Sequence, residues 1–150
     1  TLENIKRNGT ATLSYTDDVR IYAGYFVGRN DWPTCPTNVI KGARLQNCLS
    51  HSELEVINKT EDKVRPKYFC KIIHEVMHAP FHGYNRAQTA VIELAILVSR
   101  LHMLPLEKIK GEIEYLSIGF KKTSGPREQE AWEWLMEKIE DFYKSQQEEQ

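Results

Sequence analysis

The sequence predicts an α+β protein: a strand-rich part over residues 1–84, followed by a three-helix region over residues 85–150. Before residue 85 the chain runs in short segments of period two, the repeat of a half-buried strand. After it, apolar residues recur at three- and four-residue spacing, the repeat of an amphipathic helix. Gly, Asn and Pro mark the joints between segments.

The elements follow in order. "TATLSYT" (10–16) alternates Ala11, Leu13 and Tyr15 against Thr10, Thr12, Ser14 and Thr16, which predicts a strand. "RIYAGYFVG" (20–28) is apolar and aromatic and fits a strand or a short helix. "GRNDWPTCPTNVIKGARL" carries Gly, Asn, Asp and two Pro residues and predicts an irregular loop. "ELEVINK" (53–59) predicts a strand whose solvated face holds Glu53 and Glu55. Several strands with few helices suggest a barrel or a sandwich. Asn85 caps a helix over about 86–103, with Ala87, Ala90, Val91, Leu94, Ala95, Val98 and Leu101 on one face. A second helix opens with Pro105 at its first position and runs to about Lys122. A third opens with Pro126 and presents Trp132, Leu135, Ile139 and Phe142 before fraying into "KSQQEEQ".

"KIIHEVMHAPFHGYNRAQTA" (71–90) contains His74-Glu75-Val76-Met77-His78, the H-E-x-x-H pattern of zinc hydrolases. Two histidines at i and i+4 share one zinc on a helix, where they stand about 6 Å apart along the axis. On a strand the same spacing is ~13 Å, beyond the reach of one ion. Pro66 and Pro80 bracket the segment, no N-cap precedes it, and Tyr68, Phe69, Ile72, Ile73 and Val76 suit a pleated surface. The segment is therefore expected as a strand, no metal ligand is assigned, and the histidines are read as surface or loop residues. A zinc-dependent hydrolase through His74, Glu75 and His78 is the alternative.

A formal net charge of −1, from 20 basic and 21 acidic residues, gives no reason to expect nucleic acid or an anionic membrane as partner. No apolar run approaches 18 residues and no signal-peptide pattern is present, so no membrane segment is expected. Three cysteines without a C-x-x-C pair point to buried thiols in a reducing cytoplasm.

"TLENIKRNGTATLSYTDD" (1–18) resembles the phosphate-side turn, short helix and following strand of FMN-binding split β-barrels, the group of flavin reductases and pyridoxamine-phosphate-oxidase-like proteins. "GYNRAQTAVIELAILVSRLHMLP", "SGPREQEAWEWL" and "VIKGARLQNCLSHSELEVINKTED" are similar to an uncharacterised, mainly archaeal family in which a split barrel carries a C-terminal helical extension. The resemblance implies a partial split β-barrel, an FMN cofactor at a homodimer interface, and oxidoreductase chemistry on an unknown small-molecule substrate. It also implies that N-terminal barrel strands precede Thr1, and it places Ser14 where relatives commonly carry Asn facing the flavin ring.

A flavin phosphate needs hydroxyls, helix-end amides and a cation. Thr1 and Asn4, at the start of the "LENIKRN" helix, are candidates for the phosphate side, with an ordinary helix cap as the plain alternative. Ser14, Tyr15 and Thr16 are candidates for the ring edge. Asn85 and Arg86 combine a helix cap with a guanidinium, suited to phosphate or to a partner subunit; Arg86 could equally pair with a buried Glu93. No catalytic acid, base or nucleophile stands out, as expected where the chemistry belongs to the cofactor. A non-catalytic dimeric assembly module is the remaining alternative.

Overall fold

In a computed structural model of the chain, which describes residues 2–62 and 64–148, the strands lie before residue 78 and three consecutive helices follow residue 85. The order is α1 (Leu2–Asn8), β1 (Thr10–Tyr15), α2 (Val19–Val27), β2 (Thr34–Pro36), β3 (Ala43–Leu45), β4 (Ser50–Thr60), β5 (Lys67–Met77), α3 (Arg86–Val98), α4 (Leu106–Thr123) and α5 (Pro126–Glu148). The class is mixed α+β. The chain forms two compact units: residues 1–16 with 32–81, and residues 17–31 with 82–150. The "RIYAGYFVG" segment takes its helical alternative and belongs to the second unit.

The first unit is built on a three-stranded antiparallel sheet of order β1-β4-β5. Gly9, at φ 65, reverses the chain between α1 and β1, a left-handed geometry that L side chains resist. Ser14 stands opposite His51 and Thr12 opposite Glu53, while Glu53 stands opposite His74 and His51 opposite Val76. These residues share one face. Leu13, Tyr15, Ser52 and Glu75 lie on the other. The stretch expected as an irregular loop folds instead into the β2-β3 pair, in which Cys35 stands opposite Arg44.

This unit is unusual in what it buries. His51, Ser52 and Glu53 are each fully buried, whereas Leu13, Tyr15, Phe69, Ile72 and Met77 are exposed. Alternation placed Glu53 on a solvated face, and the structure corrects this: residues 38–40 cover its carboxylate. Of the three cysteines only Cys48 is buried; Cys35 and Cys70 are half-buried, and all three are free.

The second unit holds the apolar core. All seven residues expected on the inner face of α3, from Ala87 to Leu101, are buried. Val91, Leu94, Ala95, Val98 and Leu101 pack with Val19 and Ala23 of α2, Ile109 of α4, and Ala131, Leu135 and Ile139 of α5. The helix itself stops at Val98, where Ser99 caps it, short of the expected residue 103. Pro105 is the N-cap of α4 with ψ 144, one position earlier than expected, because the extended geometry before the first turn suits it as well as the first turn does. Asp18 caps α2, accepting from the Arg20 amide, and Gly28 ends it at φ 80. Arg20 grips Asp18 through Nη2 at 2.6 Å and reaches Glu130 of α5 at 3.0 Å, which ties α2 into the bundle. Phe120 stacks on Trp132 at 4.3 Å, and Arg29 lies over Trp134, so both tryptophans serve packing.

Leu94 is fully buried and Met103 is 70% exposed. Leu94→Ala should therefore cost about 2–5 kcal/mol of unfolding free energy, and Met103→Ala within about 0.5 kcal/mol of nothing. Urea denaturation of the two variants measures the contrast.

Candidate functional site

Glu53 organises the first unit. Its Oε1 accepts from the Asn38 amide at 2.6 Å, and its Oε2 accepts from the Val39 and Ile40 amides at 2.8 and 2.7 Å. Three donors converge because Thr37 to Ile40 form a tight turn, closed by the Thr37 hydroxyl donating to the Ile40 carbonyl. His51 Nε2 lies 3.2 Å from Oε1. Burial pushes the Glu53 carboxyl up, but the three amides and the His51 bond outweigh it and hold the group down at about 2. The carboxylate is thus ionised at neutral pH inside the fold.

Two features grow from this anchor. The first is a groove of about 690 Å³ lined by Arg7, Asn8, Thr10, Val39, Ile40, Lys41, Glu55 and Ile73. Its size falls within the usual range for small-molecule sites. Turn residues held on Glu53 supply one wall, and the end of α1 supplies another. Two cations, the Glu55 carboxylate and two neutral hydrogen-bonding side chains stand there beside apolar surface. Asn4 contributes indirectly: its side-chain oxygen accepts from Arg7 Nη2 at 3.1 Å.

The second feature is a chain of imidazoles. His51 Nδ1 lies 3.0 Å from His78 Nε2. The two ring planes are within 5° and the centroids 5.1 Å apart, so the rings meet edge to edge along the nitrogen–nitrogen line. Arg44 stands near, donating from Nη1 to the Leu45 and Gln46 carbonyls at 3.0 and 3.2 Å. Burial, together with the charges of Arg44 and His51, pushes the His78 imidazole below its ordinary value.

The expected site residues are distributed as follows. Thr1 lies outside the described residues. Asn4 reaches the groove only through Arg7. The Ser14 hydroxyl accepts from the Leu45 amide at 3.1 Å and joins β1 to β3. Tyr15 points to the opposite face, where its hydroxyl lies 3.4 Å from Ser52 Oγ, and Thr16 is buried. Asn85 and Arg86 belong to the second unit. Asn85 and Gln88 form a reciprocal cap at the start of α3, each side chain accepting from the other's amide. Arg86 lies over Gly119 of α4, where a Cβ would meet its guanidinium at 3.4 Å. Glu93 is exposed, which corrects the expectation of a buried ion pair with Arg86.

His74 and Glu75 lie on β5, as expected, and His78 follows its end. Of the histidines expected as surface or loop residues, His78 and His82 are exposed in the loop after β5, with His78 bonded to His51, while His74 is half-buried on the strand and its Nε2 is buried without a partner among the described residues. Glu75 points to the other face and accepts from Ser52 Oγ at 2.6 Å. A zinc-bound arrangement of the H-E-x-x-H type needs all three on one helix.

Sequence reasoning missed Arg7, Asn8, Thr10, Lys41, His51 and Glu53. The one available signal was the asymmetry of "SHSELEV", where His51 and Glu53 alternate with Ser52 and Leu54; a polar face of that kind reads as solvated unless a covering loop is known.

The chain belongs to the family described as protein of unknown function (DUF447): its N-terminal domain matches over residues 1–79 and a second part of the same family over residues 85–137. Among solved structures, the chain is similar to the FMN-bound protein MM1853 of Methanosarcina mazei, of the same family, with a TM-score of 0.73 and 15% identity over 91% of this chain and 74% of that one. No curated protein matches.

The depressed carboxyl of Glu53 makes an acid-range prediction. Its folded value of about 2 lies below the ordinary 4.5, so its stabilising contribution is complete above pH 4.5 and is lost as pH falls toward 2. Glu53→Gln, which leaves the amides of residues 38–40 without an ionised acceptor, should lose roughly 2–3 kcal/mol at neutral pH. The gap between wild type and variant should close between pH 4.5 and about 2, as read from urea midpoints across that range.

Proposed function

We propose that the protein is an FMN-binding flavoprotein of split-barrel type and that it works as a flavin-dependent oxidoreductase on a small-molecule substrate. The observation that carries this reading is the groove beside α1, with Arg7 and Lys41 for a phosphate, Asn8 and Thr10 for neutral hydrogen bonds, and Val39, Ile40 and Ile73 for a flat apolar ring. A phosphate ester and an aromatic ring system ask for this combination. The FMN carried by the Methanosarcina mazei relative supports it.

The cofactor supplies the redox chemistry, and the chain's residues bind and orient it. Arg7, steadied by Asn4, and Lys41 neutralise phosphate charge; the turn held on Glu53 keeps Ile40 and Lys41 in place. The exposed apolar face formed by Leu13, Tyr15, Ile72 and Met77 supports a homodimer in which a second copy covers the sheet. No helix among the described residues is long and apolar enough to cross a membrane, and the free cysteines fit a reducing, cytoplasmic setting.

Fluorescence titration of the full-length chain with FMN tests the reading. Saturable binding is expected, and removing either cation, Arg7→Ala or Lys41→Ala, should weaken it roughly tenfold or more. A chain that forms dimers in light scattering yet shows no FMN affinity would instead favour the assembly-module reading.

A further inference from the structure

We propose that a pocket between the first turns of α3 and the middle of α4 binds a small aromatic carboxylate, with the Arg86 guanidinium recognising the acid group. The site lies wholly within the helical unit, shares no residue with the groove lined by Arg7 and Lys41, and does not rest on the flavin reading.

Helical spacing assembles its walls. Arg86, Thr89 and Ala90 stand three and four residues apart on α3 and share one face. Tyr115 and Gly119 stand one turn apart on α4 and line the other side. Tyr84 adds a second aromatic ring from the segment ahead of α3. The cavity measures about 240 Å³, below the usual span for drug-sized ligands. That size suits one ring with one acid group, and it is too small for a nucleotide.

Arg86 is positioned by packing, and its donors are uncommitted. A Cβ built at Gly119 would meet Arg86 Nε at 3.4 Å, Cβ at 3.5 Å and Nη2 at 3.6 Å, so the side chain runs along α4 over a position that lacks one. Among the described residues no carboxylate or carbonyl accepts from its guanidinium, and none of the residues lining the pocket is acidic. The end of α3 adds little by itself. Its Ala87 amide donates to Thr123 Oγ1 and its Gln88 amide to Asn85 Oδ1, each at 2.9 Å. Thr89 Oγ1 donates to the Asn85 carbonyl at 3.1 Å. What remains for an anion is the planar fork of Arg86, whose two parallel N–H groups match a carboxylate. One guanidinium balances one carboxylate charge, whereas a phosphate monoester brings about −1.5 to −2 near neutral pH.

The walls define the rest of the ligand. Tyr115 is 72% exposed and Tyr84 44%, with Ala90 and Leu116 adding aliphatic surface between the helices. Tyr84 is hydrogen-bonded to Tyr22 of α2, which steadies its ring. Two uncovered rings beside a guanidinium suit a flat aromatic body, because ring contacts stabilise beyond the area they cover. An acid without a ring would leave both tyrosines wet.

Benzoate titrated into the full-length chain and followed by backbone amide NMR tests this assignment. Saturable shifts are expected at Arg86, Leu116 and Gly119, and acetate, which lacks the ring, should bind about tenfold more weakly. Arg86→Gln changes an exposed position, so it should leave the urea midpoint in place while weakening benzoate about tenfold or more. Tyr115→Ala should reduce benzoate binding toward that of acetate. Benzoate that binds wild type and Arg86→Gln equally, or that leaves the amides of α3 and α4 unmoved, would overturn the proposal. Acetate binding as tightly as benzoate would overturn it as well. So would displacement of benzoate by FMN, since Arg86 would then belong to the cofactor's site.

Discussion

A single buried carboxylate sets the geometry of the strand-rich unit. Most small sheets gain their stability by covering an apolar face, but here the fully buried residues at the sheet centre are His51, Ser52 and Glu53. Burying a charge is costly unless donors replace the water it loses. The amides of residues 38–40 do that for Glu53, and in doing so they draw the β2-β3 excursion across the sheet. The groove wall and the imidazole chain both inherit their positions from this contact. Ser14 adds a second stitch, accepting from Leu45 to hold β3 against β1.

The helical unit works by a different economy. Its core cluster is apolar, from Val19 and Ala23 to Leu135 and Ile139, and several of its polar contacts lie at helix ends. Asp18, Asn85 and Glu128 each accept amide protons there, and Arg20 adds a charged link from α2 to α5. Packing of this kind tolerates screening by salt, whereas the Glu53 network depends on keeping one charge dry.

These two modes explain what was legible in the sequence. The face of α3 could be read residue by residue, because helical period and burial obey the same rule when the neighbours are apolar. The strand that carries His74 and Glu75 and ends at Met77 could be read from its flanking prolines and its β-branched run, against the pull of the H-E-x-x-H pattern. Glu53 could not. Alternation reports which residues share a face, and it takes a polar face to be wet; only the distant turn at residues 38–40 makes it dry. Nor does the pattern announce that the Ser14 hydroxyl receives the Leu45 amide across from β3. Arg7 and Lys41 belong to segments far apart in sequence, and no local pattern announces a groove assembled by a turn that another residue folds.

The segment 17–31 leaves the strand-rich unit after β1 and returns to it before β2, spending its length as α2 among the C-terminal helices. The chain is therefore threaded, not concatenated. A cut near residue 84 would remove Val19 and Ala23, both fully buried, from a core they help to fill. On the ribosome, β1 and α2 emerge before their partners β4 and α5 exist, so they wait as an unpaired strand and an uncovered helix until later segments arrive. The two units cannot be exchanged as cassettes between relatives without carrying this crossing along, and their folding is bound to the synthesis of nearly the whole chain.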